Sequence, residues 1–354
     1  MANIPDIQIG KRLIGQAHKP FIIAEMSGNH NQSLETALKI VDAAAAAGVD
    51  ALKIQTYTAD TMTLNNREGE FFINDKNSLW VGNSLYELYQ QAYTPWEWHL
   101  PIFERCRKHG IIGFSTPFDQ TAVDFLETLE VPAYKIASFE NNDIPLIEYT
   151  ARTGKPLIIS TGMASLSELD DCVTAARDNG CSQLILLKCT SSYPAPVEDA
   201  NLRTIPHMRE LFNCQVGLSD HTLSNSSAIT SVALGATIIE KHFTLDRTKG
   251  GVDSNFSLEP DELTNLVNMS TEAYISLGSI KYGSCSSEFL SKSHRRSIYV
   301  SRDVSQGETI SNENIQVIRP GNGLSPKYYK LLIGRSFNKS IKKGTPLTWD
   351  SLSD

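Results

Sequence analysis

Three lysines stand inside otherwise apolar runs: Lys53 in ALKIQT, Lys135 in AYKIAS and Lys188 in QLILLKCTS. A lysine removed from water is costly unless an anion meets it. Any one of them could pair with a neighbouring carboxylate. Three on separate runs point instead to a strongly anionic ligand, with Thr116, Ser138, Ser160 and Thr161 beside them as neutral donors to phosphate oxygens. Two histidines close apolar runs, His221 in LSDHT and His242 in IEKHFT. Neutral imidazoles from adjacent strands can converge on one divalent ion. Two protein ligands leave positions for water and substrate oxygens, which is an open catalytic arrangement rather than a closed structural one. Glu25, followed by Ser27, Asn29 and His30, adds a carboxylate to these cations. It can serve as an acid/base group, orient a substrate hydroxyl, or simply partner a lysine. Glu240 and Lys241 precede His242, and because strand neighbours alternate, one of them must face outwards. His99, His109, His207 and His294 fall in helical or linker contexts and are expected on the surface.

The elements that must position these residues form a repeated pattern: a short apolar run, a polar residue at its end, then a segment of helical period. The runs are FIIAEMS (21–27), ALKIQT (51–56), IIGFSTP (111–117), AYKIAS (133–138), PLIIST (156–161), QLILLKCTS (183–191), QVGLSD (215–220) and ATIIEKHFT (236–244). Runs apolar on both faces suit parallel strands covered by helices. The spacing predicts helices over 35–50, ended by Gly48, over 121–132, ended by Pro132, and over 165–180, opened by a Ser165/Glu168 capping box and stopped by Gly180. Strand and helix alternating eight times predicts an α/β fold, a (β/α)8 TIM barrel, with the strand ends above facing one bowl. Between Thr56 and His99 the chain inserts an aromatic-rich stretch after the second strand, on the side where barrels bind substrates. It is expected either to pack its own aromatics as an outer lid or to touch the substrate.

The barrel is expected to span 1–283, with a linker over 284–294 and a small β-rich unit over 295–354, where RSIYVSRDV and NIQVIRP read as strands and VSQGETIS resembles IKKGTPLT. That last unit holds ten Lys and Arg against five Asp and Glu, whereas the preceding residues hold 22 against 35. A basic tail and an acidic body suit each other, and the scattered tail cations argue against nucleic-acid binding. At 41% hydrophobic and 20% charged the chain has the make-up of a folded soluble protein. No apolar run approaches the roughly 20 residues of a transmembrane helix, and MANIPDIQIG lacks the pattern of a secretory signal. The six cysteines show no CxxC pair, so they read as reduced thiols of a cytoplasmic protein.

IIAEMSGNHN, ALKIQTYTADTMTL, YKIASFE, STGMAS, LKCTSSYP, GLSDHT, IEKHFTLD and RPGNGLSP occur in that order from about Ile7 to Trp349. Together they resemble the sialic acid synthase family, whose members join phosphoenolpyruvate to an N-acylated sugar. The resemblance implies a barrel followed by a small domain like type III antifreeze protein (SAF), in a domain-swapped homodimer whose tail caps the partner's active site. QTYTADTMTL, SLYELYQQAYTPWEWH and LKCTSSYP are most similar to the branch that makes pseudaminic acid. Ser191 stands where sialic acid synthases usually carry Asn, a departure from an N-acetylmannosamine substrate. Legionaminic and sialic acid synthesis are the alternatives within the family, and a carbohydrate-binding barrel without activity is the alternative outside it. Carried over position by position, the resemblance implies phosphoenolpyruvate on Lys53, Gln55, Thr116, Lys135, Ser138 and Ser219, and a divalent Mn²⁺, Mg²⁺ or Co²⁺ on His221 and His242. Tyr193, Asp253 and Arg319 become sugar contacts. Glu25, Lys53, Lys135, His221 and His242 are then the catalytic set of a C–C bond-forming transferase.

Overall fold

The structure is a computed structural model that describes residues 4–76 and 80–353. Residues 77–79, part of the aromatic insertion, lie outside the described residues. The chain divides into two units, the first ending at Gly278 and the second beginning at Ser279.

Among the described residues of the first unit, eight parallel strands close into a barrel. They are β1 (Phe21–Glu25), β2 (Ala51–Thr56), β3 (Ile112–Pro117), β4 (Tyr134–Ile136), β5 (Leu157–Ser160), β6 (Leu184–Cys189), β7 (Gln215–Ser219) and β8 (Ile238–His242). Each falls within one of the eight apolar runs, so the expected TIM barrel is present. Closure brings β8 back to β1, with Glu25 opposite His242 on one side and opposite Lys53 of β2 on the other.

Alternation gives every strand two faces. Ile22 and Ala24 of β1, with Leu52 and Ile54 of β2, join the outer layer under the helices. Phe21, Ile23, Ala51, Phe114, Ile158 and Leu187 turn inwards and make an apolar floor. A hairpin of Ile7–Ile9 and Arg12–Ile14 adds Ile7, Ile9 and Ile14 to that inner cluster and plugs it. Continuing the same alternation towards the strand C-termini brings Glu25, Lys53 and Glu240 inwards next. Charged groups therefore sit directly on a dry floor, each at most 2% exposed.

Side-chain caps open the covering helices, one of them the box expected from the sequence. Ser33 caps α1 (Leu34–Ala46), Asp119 caps the helix Gln120–Thr128, and the Ser165/Glu168 capping box opens Leu166–Asp178. Each ends a few residues before its breaker. The chain needs a left-handed turn to re-enter the barrel, and Gly48 and Gly180 supply it at φ 85° and 100°. Within the insertion after β2, Thr58 and Ser84 cap two short helices, α2 (Ala59–Met62) and α3 (Leu85–Ala92). The helix α4 (His99–His109) follows. Among the described residues no helix is long and apolar enough to cross a membrane.

In the second unit, β9 (Ser297–Val300) pairs antiparallel with β10 (Ile315–Ile318). The two similar phrases meet: Val304 and Ile341 exchange both backbone hydrogen bonds. Their glycines, Gly307 and Gly344, take φ near 80°. Ile298, Val300, Ile310, Phe337 and Leu347 form this unit's own core.

Candidate active site

Above the apolar floor, Lys53 of β2 lies against Glu25 of β1 in a buried ion pair, and its Nζ is 3.7 Å from Glu240 Oε1 of β8. Lys135 of β4 reaches the same Glu240 oxygen at 3.2 Å. The four groups form one chain of alternating charge across the barrel. The two carboxyls are driven in opposite directions. Burial pushes the Glu25 carboxyl up against the pull of Lys53. Burial would raise Glu240 as well, but Lys135 and Lys53 flank it and hold it below the usual range. The opposite shifts make Glu240 the more firmly ionised of the two and Glu25 the readier to take a proton.

Around this chain, Gln55 and Thr116 are register partners on β2 and β3, and Thr116 Oγ1 accepts from Lys53 Nζ at 3.2 Å. Ser219 of β7 faces Glu240 at 3.4 Å. Ser138, just past β4, accepts the Gly162 backbone N–H at 3.1 Å. Gly162 lets the two hydroxyls keep these positions, because a Cβ there would stand 2.1 Å from the Ser191 hydroxyl and 2.7 Å from that of Ser138 and would have to displace them.

His221 and His242 stand with ring centroids 5.3 Å apart. The Nδ1 of His221 is 2.9 Å from the Thr190 carbonyl, which can only accept, so in the neutral ring Nδ1 carries the hydrogen and the Nε2 lone pair is left for a ligand. His242 is held neutral, its affinity for a proton lowered by burial and then by the neighbouring cations. Its Nδ1 is buried without a hydrogen-bond partner among the described residues, and the Asp253 carboxylate is 3.7 Å away. Burial disfavours a charge on His221, but Cys189 and the Thr190 carbonyl outweigh it and raise the ring's affinity for a proton, so a divalent cation would take the place of the proton on Nε2, with the neutral His242 and a carboxylate nearby. Among the described residues no group of three or more His, Cys, Asp or Glu makes a closed site, so water or substrate would complete the shell.

These residues line one cavity of about 340 Å³. Glu25, Lys53, Gln55, Thr116, Lys135, Ser138, Ser191, Tyr193, Ser219, His221, His242 and Asp253 all border it. Tyr193 packs its ring against His221 at 4.5 Å, and Asp253 accepts from Ser27. A larger cavity of about 790 Å³ opens beside the start of β8, next to Gln16, Arg209 and Tyr274, remote from these groups.

Several expectations change. Lys188 does not reach the bowl: on β6 it is Ile185 and Leu187 that join the inner cluster, so Lys188 faces out and bonds the Cys189 carbonyl and Thr190. Thr161 donates to the Leu187 carbonyl, Ser160 is buried, and neither borders the cavity. His99 is fully buried, with Nε2 2.7 Å from Thr56 Oγ1, while His109, His207 and His294 are exposed. Of Glu240 and Lys241, it is Lys241 that turns out, to Asp220 at 2.9 Å. His30 and Asn29 are buried outside the cavity lining, His30 against Thr94 and Asn29 donating to the Phe243 carbonyl. Arg319 lies in the second unit, exposed, beside a turn in which Ser297 Oγ donates to the Pro320 carbonyl.

The bowl also contains residues that the pattern of strand ends does not single out. Glu240 is central, Cys189 lies 3.8 Å from His221 Nδ1, and Glu140 borders the cavity with one carboxylate oxygen buried and unpartnered among the described residues. Burial pushes the Glu140 carboxyl up to about 7. Alternation along β8 and β6 could have found Glu240 and Cys189. Glu140 sits in a turn after β4, where no period applies. The insertion after β2 contributes an apolar wall, including Met62, Ile73, Leu85 and Leu88.

A model of the NeuB family matches residues 40–282 and one of the SAF domain matches residues 295–353. The chain is 45% identical to the pseudaminic acid synthase of Campylobacter jejuni over 329 residues, covering 93% of this chain and 95% of that one. It is 42% identical to the pseudaminic acid synthase of Helicobacter pylori, covering 94% and 98%. Among solved structures, the N-acetylneuraminic acid synthetase of Leptospira borgpetersenii in complex with citrate superposes with a TM-score of 0.72 at 34% identity, covering 81% of this chain and 95% of that one.

Proposed function

The chain belongs to the NeuB family and ends in a SAF domain, and from that membership we propose that it condenses phosphoenolpyruvate with the open-chain aldehyde of 2,4-diacetamido-2,4,6-trideoxy-L-altrose, giving pseudaminic acid and phosphate. The observation that carries this reading is the convergence of Lys53, Lys135, His221 and His242 on one bowl, in a chain 45% identical to a pseudaminic acid synthase.

Lys53 and Lys135 receive the carboxylate and phosphate of phosphoenolpyruvate, with Gln55, Thr116, Ser138, Ser191 and Ser219 as neutral partners. Both lysines already have carboxylate partners, so the incoming anion must compete. Glu25 can yield, because a proton on it releases Lys53 at modest cost. Glu240 stays ionised and keeps the two ammonium groups at a fixed spacing, so that the site need not reorganise as charge develops. A divalent ion on His221 and His242 would supply Lewis-acid polarisation of the aldehyde oxygen. Carbon 3 of phosphoenolpyruvate forms the new bond to the aldehyde carbon, water adds at carbon 2, and phosphate leaves by C–O cleavage. Glu25 holds the proton that the attacking water gives up and the new hydroxyl gains.

Tyr193 and Asp253 are the proposed sugar contacts of the bowl's own chain. The partner subunit's Arg319 is the proposed third, in a domain-swapped homodimer. A guanidinium there can hydrogen-bond the sugar's acyl oxygens and exclude water. The enzyme is proposed to act in the cytoplasm. Incubation with phosphoenolpyruvate, the trideoxy sugar and a divalent ion should yield equal amounts of phosphate and of a nine-carbon ulosonic acid by mass spectrometry. Phosphate without the acid, or neither product, would overturn the reading.

A further inference from the structure

We propose that the apolar wall built by the insertion after β2 selects the sugar by its deoxygenated end, with Met62, Ile73, Leu85 and Leu88 receiving the C6 methyl group. This deepens the proposed function and rests on it.

Three local features make the wall continuous. On α3, the positions Leu85, Leu88, Tyr89 and Ala92 recur at i, i+3, i+4 and i+7, which places them on one helix face, and all four border the cavity. In a soluble protein such a stripe normally packs on the core. Here it forms one side of a binding site whose floor carries the charged groups Glu25, Lys53, Lys135 and Glu240. Ile73 is fixed beside the start of α3, because its backbone N–H and C=O bond Asn83 and Gly82 and the adjoining Phe72 bridges Ser84. Met62 ends α2, and the two short helices are tied by the Tyr86 hydroxyl donating to Asp60 at 3.0 Å. At its far end the wall meets Val252, whose carbonyl accepts from the Trp80 indole at 3.0 Å. None of the four named side chains can donate or accept a strong hydrogen bond.

The position of the wall decides which part of the sugar it meets. The reacting aldehyde carbon must lie over the floor, between the lysines and histidines at the strand ends. An open-chain hexose then runs away from the floor, with C6 last. The insertion leaves the C-terminal end of β2 and forms the bowl's side, so the end of the chain farthest from the chemistry meets the apolar surface. A methyl group fits there, whereas a hydroxyl would lose water without gaining a partner. Apolar pockets discriminate against an added hydroxyl by about two orders of magnitude at most, which makes the expected preference on the order of 10- to 100-fold.

The test uses two sugars of identical stereochemistry, 2,4-diacetamido-2,4,6-trideoxy-L-altrose and its 6-hydroxy counterpart, with the full chain, phosphoenolpyruvate and a divalent ion. The enzyme should favour the deoxy sugar in kcat/KM by that factor. Leu85→Asn and Ile73→Thr, both at partly exposed positions, should narrow the ratio several-fold while the KM for phosphoenolpyruvate stays unchanged. Thermal stabilisation by phosphoenolpyruvate in each variant verifies that the bowl is intact. Turnover of the deoxy sugar with a ratio near one, or with a ratio that neither intact variant alters, overturns this proposal and leaves the proposed function standing. Failure to use either sugar overturns the premise, and the wall's assignment falls with it.

Discussion

Glu240→Gln removes one charge from the buried chain Glu25, Lys53, Glu240, Lys135 with almost no change of volume. The Glu240 oxygen lies 3.2 Å from Lys135 and 3.7 Å from Lys53. At an effective dielectric near 20 those separations correspond to gross attractions of about 5 and about 4.5 kcal/mol. The substitution also relieves the carboxylate of its own desolvation, so the net loss should fall in the range for breaking a buried pair, about 3–5 kcal/mol. A ceiling comes from proton release, since neutralising a lysine of ordinary pKa at pH 7 costs about 4.6 kcal/mol. Urea denaturation of the ligand-free protein at pH 7 should therefore show that loss. A second consequence is more specific. Phosphoenolpyruvate brings the anion that the variant lacks, so saturating ligand should stabilise Glu240→Gln more than it stabilises the parent chain. Equal ligand-induced stabilisation in both proteins, or an unfolding free energy unchanged by the substitution, would refute the account of a charge chain poised for an anion.

Further outcomes follow from other parts of the bowl. A chelator should abolish turnover and a divalent ion restore it, and His221→Ala and His242→Ala should each lose about two to three orders of magnitude in kcat; full activity in metal-free buffer would contradict the site. Gly162→Ala should push the Ser138 and Ser191 hydroxyls aside and raise the KM for phosphoenolpyruvate about tenfold or more, with circular dichroism unchanged, because each tenfold is only about 1.4 kcal/mol of binding. Glu140, raised from 4.5 to about 7 by burial, favours its protonated form in the folded chain, so the parent protein should lose stability relative to Glu140→Gln as pH rises from about 4.5 through 7. The gap should level off above pH 7 at no more than about 3.4 kcal/mol, less what solvent screens, and a gap that is flat with pH would count against it. Heterodimers of Arg319→Ala and His221→Ala subunits should regain partial activity if the site is shared between subunits, and verified heterodimers without activity would end that proposal.

What was legible in the sequence follows from which physical constraints act locally. The barrel strands announce themselves because burial on both faces leaves little choice of residue, and Ser165 with Glu168 marks a helix start because capping is a matter of four consecutive residues. Lys53 and Lys135 stand out against such runs for the same reason. Lys188 stands out equally, yet its neighbours Leu187 and Cys189 hold the inward parity, and register outranks residue type. His99 opens a helix and reads as exposed, but β2 turns Thr56 towards it, a contact made across 43 positions of chain. The apolar wall was hidden more deeply. Leu85 and Leu88 have the period of an ordinary amphipathic helix, and only the closed barrel shows that their face borders a charged cavity.

Whether Lys53, Lys135, His221 and His242 act together on a 2,4-diacetamido-2,4,6-trideoxy-L-altrose aldehyde, as proposed, is decided by substrate choice. The direct measurement is phosphate release from phosphoenolpyruvate with this sugar, with 2,4-diacetamido-2,4,6-trideoxymannose and with N-acetylmannosamine, under identical metal and pH. The highest kcat/KM is expected with the altrose sugar, by at least about tenfold, and it should be lost in Lys53→Ala and Lys135→Ala. A higher value with either mannose-configured sugar, or undiminished turnover in both lysine variants, would contradict it.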